Sequence, residues 1–89
     1  MSPDNITAAI QYLEQHATVR AWLLGRRYVA DIASISCLEL AQSDREITKE
    51  ELALRVAPRL RRKYGRVRLA FLSRFVFLVH DWHSLSTLS

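Results

Sequence analysis

Apolar residues recur every three or four positions near the start of the chain, and this spacing predicts a first helix. The helix is expected to run from Pro3 to about His16, with Ser2 as its cap and Pro3 at the first helical position. Its apolar stripe consists of Ile6, Ile10, Leu13 and Ala17. One narrow stripe is typical of a helix that buries one side and exposes the rest.

A second helical pattern begins at Thr18, a candidate cap, and continues to about Leu40. Its apolar residues fall on more than one face, which predicts a central helix contacted from two sides. Gly25 either kinks this helix or, within "GRR", marks a break between two helices. Asp31 lies in a largely apolar part of the pattern, and we expect it to pair with Arg27 or with a basic residue of the next helix.

The third helix has the clearest start signal in the chain. Residues 42–46, "QSDRE", are polar and predict a loop. Thr48 and Glu51 then have the spacing of a capping box, and Ile47 and Leu52 stand where a hydrophobic staple needs them.

The continuation of this helix meets Pro58, which lacks an amide hydrogen and crowds the preceding turn. The helix therefore either kinks there or ends near Ala57, with a new helix starting at Pro58. Gly65 is a candidate C-terminal cap. In the second alternative, "ITKEELALRVAPRLRRKYGR" resembles a helix-turn-helix unit whose basic second helix enters a major groove, although its turn lacks the usual glycine.

A mostly apolar segment predicts the last helix, from Arg66 to Trp82. A β-hairpin made of "RVRLAFL" and "FVFLVHDW" is the main alternative, because Phe and Val favour strands. The "SR" between these segments contains no residue typical of a tight turn, so helix is the better prediction. The patterns together predict an all-α fold: a small bundle of four helices, or five if Pro58 divides the third, packed around the C-terminal helix.

The composition fits one small folded domain. The chain has 89 residues, of which 49% are hydrophobic, with only two glycines and two prolines. Residues 1–84 are predicted to form a single helical domain, and residues 85–89 a polar C-terminal tail. The absence of a signal-peptide pattern and the single cysteine, Cys37, favour the cytoplasm, and no apolar stretch is long enough for a membrane span.

A helix as apolar as residues 66–82 is expected to be covered on most sides, by the other helices or by a second subunit. This predicts a homo-oligomer or a hetero-complex. The residues predicted to form the interface are Phe71, Phe75, Leu78 and Trp82.

Positive charge is concentrated in one part of the chain. The formal net charge is +4, and the basic residues cluster in residues 55–74, a segment that contains no Asp or Glu. The residues predicted to bind an anionic partner are Arg55, Arg59, Arg61, Arg62, Lys63, Arg66 and Arg68. On one continuous helix, five of them would fall within an arc of roughly 100°: Arg55, Arg59, Arg62, Lys63 and Arg66.

Two classes of function follow from this charge. The first is a nucleic-acid-binding or regulatory protein that contacts phosphates, since the planar guanidinium group of Arg matches phosphate oxygens well. The second is a protein-interaction module, such as an adaptor, an inhibitor or a chaperone-like dimer, whose basic face binds an acidic protein. Carboxylates and phosphates both attract Arg, so the sequence leaves both open.

The sequence offers little for catalysis, and we expect neither an enzyme nor a cofactor. "HDWH" places His80 and His83 on one side of a helix, but a structural zinc site needs four ligands. Cys37 and His16 would complete such a set only if folding brought them there, so no metal site is predicted. Cys37 is expected to be a small buried residue.

Overall fold

Four α-helices make up the secondary structure of the residues described by the computed structural model, which are 3–17, 25–66 and 68–88. The helices are α1 (Pro3–His16), α2 (Arg26–Gln42), α3 (Lys49–Tyr64) and α4 (Leu69–Leu88). The described residues contain no strand, so the all-α prediction is confirmed. None of these helices is long and apolar enough to cross a membrane.

The helices α2 and α3 run antiparallel. Asp31 near the start of α2 pairs with Lys63 near the end of α3, and Glu39 near the end of α2 pairs with Arg59, one turn earlier in α3. The helices α2 and α4 pack against each other, and α1 and α3 cover opposite sides of that pair. As predicted, the C-terminal helix contacts every other described helix.

The core lies between these helices and is almost entirely apolar. Its largest fully buried side chains are Phe75, Leu13, Ile32, Leu52, Leu60, Leu72, Val29, Val56, Val76 and Val79. The prediction that Phe75 belongs to a subunit interface is therefore wrong, because Phe75 is 0% exposed within a single chain. Leu78 and Trp82 are half-buried and pack against the core, whereas Phe71 is 37% exposed.

Local capping signals account for the ends of α2 and α3. Gly25 precedes α2 with φ 87° and Gly65 follows α3 with φ 76°, both in the left-handed region that favours glycine. The hydroxyl of Thr48 accepts a hydrogen bond from the backbone N–H of Glu51, as predicted for the first half of a capping box. The predicted caps Ser2 and Thr18, and the helical pattern over 18–24, lie outside the described residues.

Pro58 neither ends α3 nor starts a new helix, since α3 is continuous from Lys49 to Tyr64. The helix-turn-helix interpretation of this segment is therefore wrong. Buried Val56 and Leu60 pack on either side of the proline and hold both halves of α3 against the core. Pro58 itself is exposed, as is Leu54, whose carbonyl is the usual helical partner of the N–H that proline lacks.

The last helix is shifted relative to its prediction. It begins at Leu69, where the carbonyl of Arg68 accepts hydrogen bonds from the N–H groups of Phe71 and Leu72, and it continues past Trp82 to Leu88. Residues 85–88 are thus helical and prolong α4.

Candidate nucleic-acid interface

The basic residues predicted to bind an anionic partner divide into two groups, and the first group is already paired with acidic residues. Arg55 lies 3.0 Å from Glu51. Arg59 lies 3.1 Å from Glu39, and Lys63 lies 2.9 Å from Asp31. Folding therefore compensates part of a charge run that contains no acidic residue in the sequence.

Asp31 is the centre of the contacts between the start of α2 and the end of α3. It accepts hydrogen bonds from the hydroxyl of Tyr64 and from the ammonium group of Lys63. Burial by itself raises the pKa of Asp31, but these two bonds, with the positive charges of Lys63 and Arg27, outweigh that effect and the pKa is lowered. The hydrogen bond to Asp31 and burial both raise the pKa of Tyr64. Tyr28 contacts the Tyr64 ring edge-on, with the ring centroids 4.8 Å apart.

Replacing Asp31 with Asn should destabilise the protein at neutral pH and have no effect in strong acid. Because the folded pKa lies below the ordinary 3.8, the stabilisation by Asp31 is complete above that value and is lost as the pH falls through the folded pKa. Urea denaturation of wild type and D31N from neutral pH down to strong acid checks this. The D44N variant, with the same change in the exposed loop after α2, should match wild type at neutral pH. Parallel profiles for wild type and D31N at all pH values would contradict the role of Asp31.

The second group of basic residues remains available to a partner. We call it the arginine cluster: Arg61, Arg62, Arg66 and Arg68. All four residues are exposed. In the part of the chain that the structure describes, they form neither ion pairs nor side-chain hydrogen bonds.

The end of α3 and the turn after it place the arginine cluster. Arg61 and Arg62 occupy the last turn of α3, where positive charge is favourable beside the unpaired carbonyl groups. Gly65 ends the helix by donating its N–H to the carbonyl of Arg61. The chain then passes Arg66 and Arg68 before α4 begins at Leu69.

The structure differs in two ways from the predicted single arc of basic residues on α3. Arg66 lies beyond the end of α3, so it cannot continue the helical face. Arg55 and Arg59 face acidic partners, whereas Arg61, which was outside the arc, is exposed beside Arg62. The unpaired positive charge is thus concentrated at one end of the bundle.

Sequence reasoning missed Arg27 as a neighbour of this end. Its charge acts on both Asp31 and Tyr64, which places the start of α2 beside the end of α3. The available signal was the antiparallel packing of consecutive helices joined by a short loop, which brings "GRR" next to "RRKYGR". The exposed Arg27 therefore extends the positive region around the arginine cluster.

The helix dipole adds to the electrostatic field at this end. The start of α4 carries the positive end of its dipole, and its first turn contains no acidic residue. Unpaired N–H groups at a helix start and guanidinium groups both attract phosphate. This part of the surface is therefore suited to an anion.

The other candidate ligands do not converge. The Nε2 of His80 donates to the carbonyl of Ile47 at 2.8 Å, and Asp81 is exposed. Among the described residues, no group of three or more His, Cys, Asp or Glu side chains is arranged to hold a metal ion. Cys37 is buried as predicted, and burial raises the pKa of its thiol to about 11.

Comparison with known proteins gives no relative from which a function can be transferred: the chain matches no family, no curated protein and no solved structure.

Proposed function

We propose that this protein binds nucleic acid through phosphate contacts made by the arginine cluster, in a binding or regulatory role. One observation carries the proposal: the four arginines of the cluster are exposed and unpaired within the described residues, while neighbouring Arg55, Arg59 and Lys63 are each paired with a carboxylate.

Arginine is the residue type best suited to this role. Its planar guanidinium group donates two parallel hydrogen bonds to phosphate oxygens, which a lysine ammonium cannot do. An acidic protein would be attracted to the same charges, and binding of nucleic acid with the expected salt dependence separates the two. The cytoplasm is the compartment we propose, since the single cysteine is a free buried thiol.

Binding of a random-sequence DNA duplex should weaken steeply as salt is added. If about four phosphates are contacted, the logarithm of affinity should fall against the logarithm of salt concentration with a slope of about −3 to −4. Fluorescence anisotropy of a labelled duplex across a salt series measures this slope. We expect the R61Q/R62Q variant to flatten the slope by nearly two units, with similar losses for all duplex sequences.

A matched control is available at the opposite end of α3. Arg45 precedes α3 and Lys49 is its first residue, so R45Q/K49Q removes the same net charge far from the arginine cluster. Its slope should remain close to that of wild type. No binding at low salt, or equal slopes for the two double variants, would refute the proposal and leave an acidic protein as the better candidate partner.

A further inference from the structure

The solvent-facing side of α4 carries apolar and charged residues in a regular order. Leu72, Phe75, Val76 and Val79 are buried on the opposite side. The outer residues, which we call the α4 stripe, are Phe71, Arg74, Leu78, Asp81 and Leu85. At the helical repeat, they fall within an arc of roughly 80°.

The apolar residues of this stripe are exposed or half-buried. Leu85 is 59% exposed, Phe71 is 37% exposed and Leu78 is half-buried. Arg74 and Asp81 are exposed and form no ion pair with other described residues. Exposed apolar residues flanked by polar groups are typical of a surface that contacts a protein.

The α4 stripe is complementary to itself when one copy is reversed. The order along the chain is apolar, positive, apolar, negative, apolar, with Leu78 near the midpoint. Two antiparallel copies that cross at Leu78 place Arg74 of each opposite Asp81 of the other. The same crossing brings Phe71 close to Leu85 of the other copy. A parallel crossing would instead place like charges opposite each other.

We propose that the chain forms a two-fold symmetric homodimer through antiparallel packing of two α4 stripes. A two-fold axis beside Leu78 makes the interface isologous, so each pair between Arg74 and Asp81 occurs twice. The charge order favours a second copy as the occupant, because the order is complementary to its own reverse. The arginine cluster contributes nothing to this contact, so the dimer stands independently of nucleic-acid binding.

Charge reversal tests the proposal without disturbing the core. We expect sedimentation to give twice the chain mass of 10.3 kDa for wild type. R74D and D81R should each raise the dimer dissociation constant by about tenfold or more, because each places like charges together twice. An equimolar mixture of R74D and D81R should form a heterodimer, and the double variant R74D/D81R should recover the homodimer.

Matched alanine variants provide the control for apolar contacts. L85A should weaken the dimer, while L54A, which truncates a 65% exposed leucine on α3, should leave it unchanged. Circular dichroism of each variant establishes that the helices are intact. A monomeric wild type throughout a dilution series would overturn the proposal. Dimers of R74D and D81R as stable as wild type would overturn it too.

Discussion

Replacing Phe75 with Ala should lower the free energy of unfolding by about 3 to 5 kcal/mol. Phe75 is 0% exposed and is the largest fully buried side chain of the described residues. It lies on α4, which packs against all the other described helices, so the cavity left by truncation opens at the centre of the bundle. A domain of this size has little stability in reserve, and this loss would remove much of it. Urea denaturation followed by circular dichroism measures the change.

The matched control is F71A, which is the same Phe-to-Ala substitution on the same helix. Because Phe71 is 37% exposed, F71A should cause a clearly smaller loss than F75A. Both variants are best measured in the R74D background, in which we expect a weaker dimer, so that dimer dissociation affects the comparison less. Equal losses for F71A and F75A would show that Phe75 is not at the centre of the core.

Helix positions were predictable wherever one local interaction decides them. Thr48 caps α3 because its hydroxyl reaches the N–H of Glu51, a contact between residues three apart that the sequence displays directly. Gly65 ends α3 because the chain adopts a positive φ there, which other residues adopt only with strain. Such signals need no knowledge of the tertiary structure.

The end of α4 was less predictable because no strong stop signal follows Trp82. Ser and Thr are weak helix formers, which is why residues 85–89 resemble a polar tail. They contain no Gly or Pro, however, so nothing forces the helix to stop. The hydroxyl of Thr87 also donates to the carbonyl of Ser84 within the last turn. Propagation of an existing helix is easy compared with nucleation, and α4 continues to Leu88.

The candidate site was predictable in its residue types and only partly in its location. A charge run in a sequence shows which residues are basic, but it does not show which acidic residues folding brings beside them. Asp31 and Glu39 lie on α2, and only the packing of α2 against α3 pairs them with Lys63 and Arg59. The sequence suggested that Asp31 pairs with Arg27 or with a basic residue of the third helix, and the contact with Lys63 confirms the second alternative. Arg59 pairs with Glu39 because of the relative position of α2 and α3 along their axes. Local sequence patterns do not determine that position.

Pro58 is the second site at which we expect a large effect, and here substitution should stabilise the protein. A proline inside a helix is less favourable than alanine by about 3 kcal/mol, because it lacks an N–H and crowds the preceding turn. Proline also restricts the unfolded chain, which offsets about 0.4 to 1 kcal/mol of that difference. Since Pro58 is exposed, replacing it with Ala removes little packing. We therefore expect P58A to raise the free energy of unfolding by about 2 to 2.5 kcal/mol.

The P58G variant separates the gain from the restored N–H from the gain in helix propensity. Glycine restores the N–H that can bond to the carbonyl of Leu54, but its helix propensity is about 1 kcal/mol worse than that of alanine. P58G should thus be less stable than P58A by about that amount. L54A, an alanine substitution one turn earlier on the same exposed side, should change stability little and controls for the general effect of alanine. If P58A were neutral or destabilising, α3 would have to be bent around the proline in a way that alanine cannot relieve. In that case the buried packing of Val56 and Leu60 would require the bend that Pro58 produces in α3.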